Sequence, residues 1–205
     1  MSESDRETPA GSEGPTYPDV PDWEDEYLDR VSDRLMFNYD LEKDRRVDGE
    51  RFDLYGQLRI ESQKQFIHRS INFANYHVEE HLFAERVPSV SRADLERRVE
   101  FAHALADEWV QADEEHQGTD FTFVFVAPEI SDSVRSFVGG FSDRTLLKFG
   151  YYGHYEVNLA AVAPDEEVIV ASKNADVARA FALWADPGAE STPGLLARLL
   201  RRLRT

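Results

Sequence analysis

The chain has 205 residues, 41% of them hydrophobic and 12% aromatic, enough to bury one core of ordinary size. Its 40 acidic residues against 23 basic ones give a net charge of −17, which argues against a general nucleic-acid binder. Cysteine is absent, which excludes disulfide frameworks, thiolate metal sites and cysteine nucleophiles. No apolar run approaches the roughly 20 residues of a spanning helix, and MSESDRETPAGSEG lacks the basic and apolar regions of a secretory signal. A cytoplasmic protein is expected.

The cations are lopsided, with 19 Arg and only 4 Lys. Abundant carboxylates, few Lys and no Cys together resemble the composition of cytosolic proteins from salt-accumulating archaea. Such a surface repels itself in dilute buffer, and molar salt screens the repulsion.

Residues 1–22 form an acidic tail rich in Pro, Gly, Ser and Glu, too polar to order itself. From Trp23 the apolar residues Trp23, Tyr27, Leu28, Val31, Leu35 and Tyr39 recur at threes and fours, which predicts an amphipathic helix with Asp22 as N-cap. The polar stretch DLEKDRRVDGE, residues 40–50, reads as a loop. FDLYGQLRIES alternates, with Phe52, Leu54, Leu58 and Ile60 on one face, and predicts a half-buried strand. A second strand is expected over roughly 64–74. NYHVEEHLFAERV, from residue 75, fits either strand or helix. Strand is chosen, because three alternating runs in sequence make an antiparallel meander.

Ser91 with Asp94 forms a variant capping box for a long helix to about residue 115, carrying Leu95, Val99, Ala102, Ala106 and Trp109 on its apolar stripe. TDFTFVFVAP predicts a strand buried on both faces. Ser131 opens a short helix that Gly139-Gly140 ends. TLLKF, HYEVNLAAVA after Gly153, and EEVIVAS read as further strands, and Asp176 to Trp184 as a last helix. Residues 186–193 form a linker. Residues 194–205, LLARLLRRLRT after Gly194, carry four Arg and no acid, so the rest of the chain holds −21. Their Leu residues make the apolar face of a short helix. The whole is an α+β fold in one domain, residues 23–185, with a meander and further mixed strands packed against a long helix.

His77-Val78-Glu79-Glu80-His81 spells H-x-x-E-H, in which two His bind zinc and a Glu activates water, provided the segment is helical. On a strand, His77, Glu79 and His81 share a face instead, as in a two-His-one-carboxylate metal site. The polar face of an amphipathic strand explains the same residues without any metal. Asp53, Glu61 and Lys64 could hold a divalent metal against a phosphodiester. The order of helix, three strands, helix and strand resembles the core of the restriction-endonuclease-like superfamily. Its D…(D/E)-x-K signature is not present as written, and the third strand offers Glu79-x-His81 in its place. Glu114-Glu115-His116 lies at the expected end of the long helix, where Glu115 and His116 could meet His154 and Glu156 in a polar pocket. Phe149, Tyr151, Tyr152 and Tyr155 could stack a flat ligand, or serve as packing and cross-strand pairs. No phosphate-binding glycine loop is present.

The run from FDLYGQLRIES through KFGYYGHYEVNL resembles an uncharacterised family of haloarchaeal proteins with distant bacterial relatives, over about residues 23–173. The resemblance implies a salt-adapted, one-domain protein and no particular activity. A binding or interaction module is expected, with a metal-dependent hydrolase or nuclease as the alternative. Its expected contact surface is the C-terminal helix, through Leu195, Leu196, Arg198, Leu199, Arg201 and Arg202, facing a protein partner or an anionic membrane, unless the helix folds back on its own acidic body. If the acidic surface is a salt adaptation, the fold melts at higher temperature in molar KCl than in dilute buffer. A melting temperature that is level or falling between those conditions refutes it.

Overall fold

A computed structural model describes residues 20–63 and 75–185. The expectations for the tail through residue 19, the strand over roughly 64–74, the linker 186–193 and the helix 194–205 lie outside the described residues.

Helix α1 spans Glu26–Leu35, and its N-cap is Asp25 rather than Asp22. The Asp25 carboxylate accepts from the Tyr27 and Leu28 backbone N–H groups, at 3.0 and 3.2 Å. Asp22 lies three residues too early to reach those donors. The buried face of α1 is Leu28, Val31, Ser32 and Leu35.

The stretch read as a loop is a strand. β1 (Asp40–Val47) pairs antiparallel with β2 (Glu50–Gln63) through the register Val47↔Glu50. Asp48 and Gly49 close the hairpin, both at positive φ (47° and 86°), as a two-residue turn matched to strand twist demands. The Asp-Gly signal was present in the sequence. The charged residues of β1 obscured it, and charge is what an edge strand uses to discourage further pairing.

β3 (Asn75–Arg86) continues the antiparallel meander against β2, as the strand reading of NYHVEEHLFAERV expected. The described meander is β1-β2-β3. The expected alternation of β2 holds from Leu54 onward and breaks at Phe52. Phe52 turns to the opposite face and meets Phe83, ring centroids 4.9 Å apart. The ladder to β3 begins only at Leu54, and opposite the break Asp44 adopts φ 55°.

α2 (Arg92–Trp109) begins with the Ser91–Asp94 capping box and ends at Trp109, six residues before the expected limit. His116, expected near the helix end, instead opens strand β4 (His116–Val126), which runs parallel to β3. α3 (Asp132–Gly140) is capped by Ser131. β5 (Asp143–Leu146) begins two residues before the predicted TLLKF strand and ends within it, because Leu147–Gly150 bends into a tight turn. β6 (His154–Ala163) lies parallel to β4, and β5 and β7 (Val168–Ala171) share its outer edge antiparallel. The last predicted helix is only a 3-10 segment, Asp176–Phe181. Arg34 satisfies its exposed carbonyls, donating to Ala182 and Leu183 at 2.9 and 3.3 Å.

The result is a seven-stranded mixed sheet, β1-β2-β3-β4-β6-β5 with β7 beside β6. α2 and α3 cover one face over Phe83, Phe121, Phe123 and Leu159. α1 and the 3-10 segment cover the other over Leu54, Leu82, Val124 and Val162. From Thr119 to Ala127 every residue of the β4 region is buried, as the apolar core of its sequence predicted. Trp109, expected to be buried, is half-buried. As the final residue of α2 it covers the rim, its indole and the His81 ring having centroids 5.0 Å apart.

Phe83 and Phe123 stack at 4.8 Å with a 10° interplanar angle at the centre of the α2 side. Phe83→Ala should cost about 3–5 kcal/mol in a denaturant melt. A loss under about 1 kcal/mol would place this pair outside the cooperative core.

Candidate functional site

Strand geometry decides the fate of the H-x-x-E-H motif. His77, Glu79 and His81 point to the α2 face, while Glu80 lies on the α1 face. The zinc-hydrolase arrangement is thereby broken, since its Glu cannot reach a site shared by the two His. Along a strand His77 and His81 are also separated by about 13 Å, too far to ligate one ion together. Among the described residues, no group of three or more His, Asp or Glu is placed to hold a metal ion.

The α2-face residues are engaged with one another. Tyr55 Oη lies 2.8 Å from His81 Nδ1. His81 Nε2 faces the Glu79 carboxylate at 3.5 Å, and Arg59 binds the same carboxylate at 2.7 Å. In the neutral ring Nε2 donates to Glu79, so Nδ1 accepts from the Tyr55 hydroxyl. The hydrogen bond from His81, helped by Arg59, holds the Glu79 carboxyl down at about 2 against its partial burial. Burial raises Tyr55 to about 12. His77 packs its ring against His116, with centroids 5.4 Å apart.

A register shift between His77 and Val78 rotates His116 onto this same face. There Nδ1 lies 2.7 Å from the Tyr152 carbonyl and Nε2 lies 2.9 Å from the Thr119 hydroxyl. Nδ1 therefore donates to the carbonyl, and in the neutral ring Nε2 accepts from the Thr119 hydroxyl; burial lowers the affinity of the ring for a second proton. A second Tyr–His–acid chain crosses nearby. His103 Nδ1 meets Tyr155 Oη at 2.9 Å, and Nε2 meets Asp143 at 3.1 Å.

The pocket expected from Glu115, His116, His154 and Glu156 does not form, because His116 and Glu156 face opposite sides of the sheet. Glu156 instead falls in register with Asp120 and Glu80, the row Glu80↔Asp120↔Glu156 crossing β3, β4 and β6 on the α1 face. All three are buried. Arg144 Nε pairs with Glu156 at 2.6 Å, Asn174 donates to it at 2.9 Å, and Tyr39 and Thr122 approach Glu80. Burial, reinforced by Glu80, pushes the Tyr39 phenol well up. The nuclease candidates do not assemble either. Asp53 accepts from the Arg86 backbone N–H at 2.7 Å and faces Arg51 at 3.5 Å. The side chains of Glu61 and Lys64 lie outside the described residues.

One chemistry-bearing element is open. The connection from β5 to β6 presents Leu146, Phe149 and Tyr151 to solvent, with Phe149 95% and Tyr151 86% exposed. Lys148 (φ 46°, ψ 51°) and Phe149 (φ 60°, ψ 26°) both take the left-handed conformation, and Gly150 follows at φ 89°. Each non-glycine residue there costs about 1–2 kcal/mol. Hydrogen bonds from Leu147 N–H to Gly153 and from Tyr151 N–H to Lys148 hold the turn. Gly153 is required, since a Cβ there would stand 2.2 Å from the Gln117 carbonyl oxygen. The expected aromatic cluster is therefore divided. Phe149 and Tyr151 point outward, while Tyr152 is half-buried and Tyr155 is buried beneath α2.

A family model described as a domain of unknown function, DUF8052, matches residues 24–183. The chain belongs to this family. Neither the curated proteins nor the solved structures yielded a match. The DUF8052 match runs from just before α1 to just beyond the 3-10 segment, so it takes in every element of the sheet and both layers.

In this DUF8052 domain the acid row and the two Tyr–His–acid chains escaped the sequence reading. A signal was available for the row. Asp120 and Glu156 interrupt strands otherwise apolar enough to be buried on both faces, and a carboxylate in such a strand must find partners. Nothing in the spacing of His103, Asp143 and Tyr155 could have joined them across three elements.

Glu79 has a depressed folded pKa, so its contribution to stability is complete above its ordinary value near 4.5 and is lost as pH falls toward 2. Glu79→Gln should cost at most about 3 kcal/mol at neutral pH. The gap to wild type should narrow progressively below about pH 4.5, followed by denaturant melts across that range. A gap constant with pH would separate the effect from the carboxylate's charge.

Proposed function

We propose that this DUF8052 domain is a non-enzymatic binding module of a salt-rich archaeal cytosol, and that its contact element is the aromatic turn between β5 and β6. The observation that carries the reading is the pair of exposed aromatic side chains held on left-handed backbone. Exposed aromatics that add nothing to the core, on a backbone that costs stability, are expected at a contact surface. A rigid turn also loses little entropy when it docks. The buried polar networks support the same reading from the other side, because their hydrogen bonds are directed at one another and not at an open cleft.

Salt adaptation, archaeal origin and cytosolic residence rest on the composition, and distant bacterial relatives on the sequence resemblance. No described helix is long and apolar enough to cross a membrane. The alternative of a metal-dependent hydrolase or nuclease loses the ground it had in the sequence, since Glu80 is separated from His77 and His81 by the sheet and Asp53 is occupied by β3 backbone.

Phe149→Gly tests the reading through stability and binding at once. Relief of the left-handed strain, less the added freedom of glycine in the unfolded chain, should raise stability by about 0.5–1 kcal/mol. The same variant, used as bait in a molar-KCl lysate, should lose at least one protein that wild type retains. A destabilised variant removes the strain argument, and an unchanged set of retained proteins removes the turn as the contact element.

A further inference from the structure

A cleft of about 490 Å³ opens at the end of the sheet where β3 and β6 finish, far along the strands from the aromatic turn. Tyr27, Pro164, Leu183 and Trp184 give it an apolar floor. Two acidic triplets flank it. Glu24-Asp25-Glu26 precedes and opens α1, and Asp165-Glu166-Glu167 follows β6. Arg86 is engaged by Asp25, and Lys43 by Glu24. Arg30 is the remaining cation of the lining, against Glu26, Asp165 and Glu167. The rim is therefore anionic and the floor is aromatic.

The chain passes through this cleft as it leaves the domain. Leu183 and Trp184 line it, and the Ala185 carbonyl accepts from Arg34 at 3.3 Å, which fixes the exit point beside the floor. Twenty residues follow Ala185. The last twelve hold five Leu and four Arg with no acid, the reverse of the rim's charge and a match to its floor. The intervening residues 186–193 can span up to about 28 Å when extended, more than is needed to fold back on a neighbouring cleft. A tether this short holds the segment at an effective concentration of order millimolar. An isolated helix of about ten residues is marginal in water, so the segment gains order only against a surface.

We propose that residues 194–205 dock in cis into this cleft, with the Leu stripe on Trp184 and Leu183 and the arginines at the acidic rim. The contact covers the half-buried Trp184 and Leu183 and neutralises part of the rim. Because molar salt screens the ion pairs, the Leu–Trp contact carries the affinity and the charges set the orientation. The inference is independent of the role given to the aromatic turn, which lies at the opposite end of β6.

The absence of cysteine allows a single labelled position in the full chain. Leu203→Cys, carrying a bimane fluorophore, sits at the C-terminal end of the Leu stripe, and contact with a tryptophan quenches that fluorophore. In molar KCl, docking predicts emission lowered about twofold or more, as for a segment docked over half the time. Trp184→Phe should restore the emission without altering the melt of the body. Leu196→Asp with Leu199→Asp should restore it while leaving Trp184 in place. Emission that neither change affects overturns the proposal. So does a bright label that dims only when anionic vesicles or a second protein are added, because that result gives the segment to an external surface.

Discussion

The structure depends on burying the three central strands on both faces. β3, β4 and β6 run parallel in the middle of the sheet, with α2 and α3 over one side and α1 with the 3-10 segment over the other. A polar side chain on such a strand has no water to fall back on, so it must be met by another protein group. Every buried side-chain nitrogen and oxygen among the described residues has a partner. The Tyr55–His81–Glu79–Arg59 chain, the His103 bridge and the pairing of Glu156 with Arg144 are consequences of that one requirement.

This explains why residues that look chemical in one dimension are quiet in three. A histidine whose two ring nitrogens are already engaged, as in His81, His103 and His116, cannot bind a metal without losing a buried hydrogen bond. A carboxylate depressed to about 2, as in Glu79, is a poor proton acceptor near neutrality. The same closed networks fix register. The bulge that places His116 beside His77 also places Gly118 under the His154 ring, where a Cβ would come within 3.2 Å. Shifting one strand by a residue would break polar contacts on both faces together.

Legibility followed the strength of the local signal. The capping box at Ser91, the apolar run of β4, and the glycines closing α3 each act within a few residues, and each was readable. β1 was missed because its composition is that of a loop, although Asp48-Gly49 announced the hairpin. The last helix is only a 3-10 segment, and the carbonyls just beyond it are met by Arg34, nearly 150 residues earlier, which no window on the sequence contains. The candidate site behaved likewise. Alternation placed His77, Glu79 and His81 on one face correctly, but the partners that silence them come from β2, α2 and β4. The exposed turn was half legible: its glycines Gly150 and Gly153 are local punctuation, while Leu147, Lys148 and Phe149 fell in the strand expected from TLLKF. That Phe149 is outward and strained, however, is a property of φ and not of spelling.

The acidic surface constrains where contact can occur. A body carrying −21 outside its last twelve residues repels most cellular macromolecules at low salt, and at molar salt its charges reach only about 3 Å. Under either condition, long-range attraction contributes little to recognition, and apolar contact must carry it. Among the described residues, Phe37 beyond α1 and the aromatic turn at one end of β6 are exposed, while Trp184 and Leu183 are half-buried in the cleft at the other end of β6. The turn and the cleft are separated by the length of a ten-residue strand, roughly 33 Å, so covering one leaves the other open. An intramolecular cover over the cleft would therefore leave the aromatic turn open.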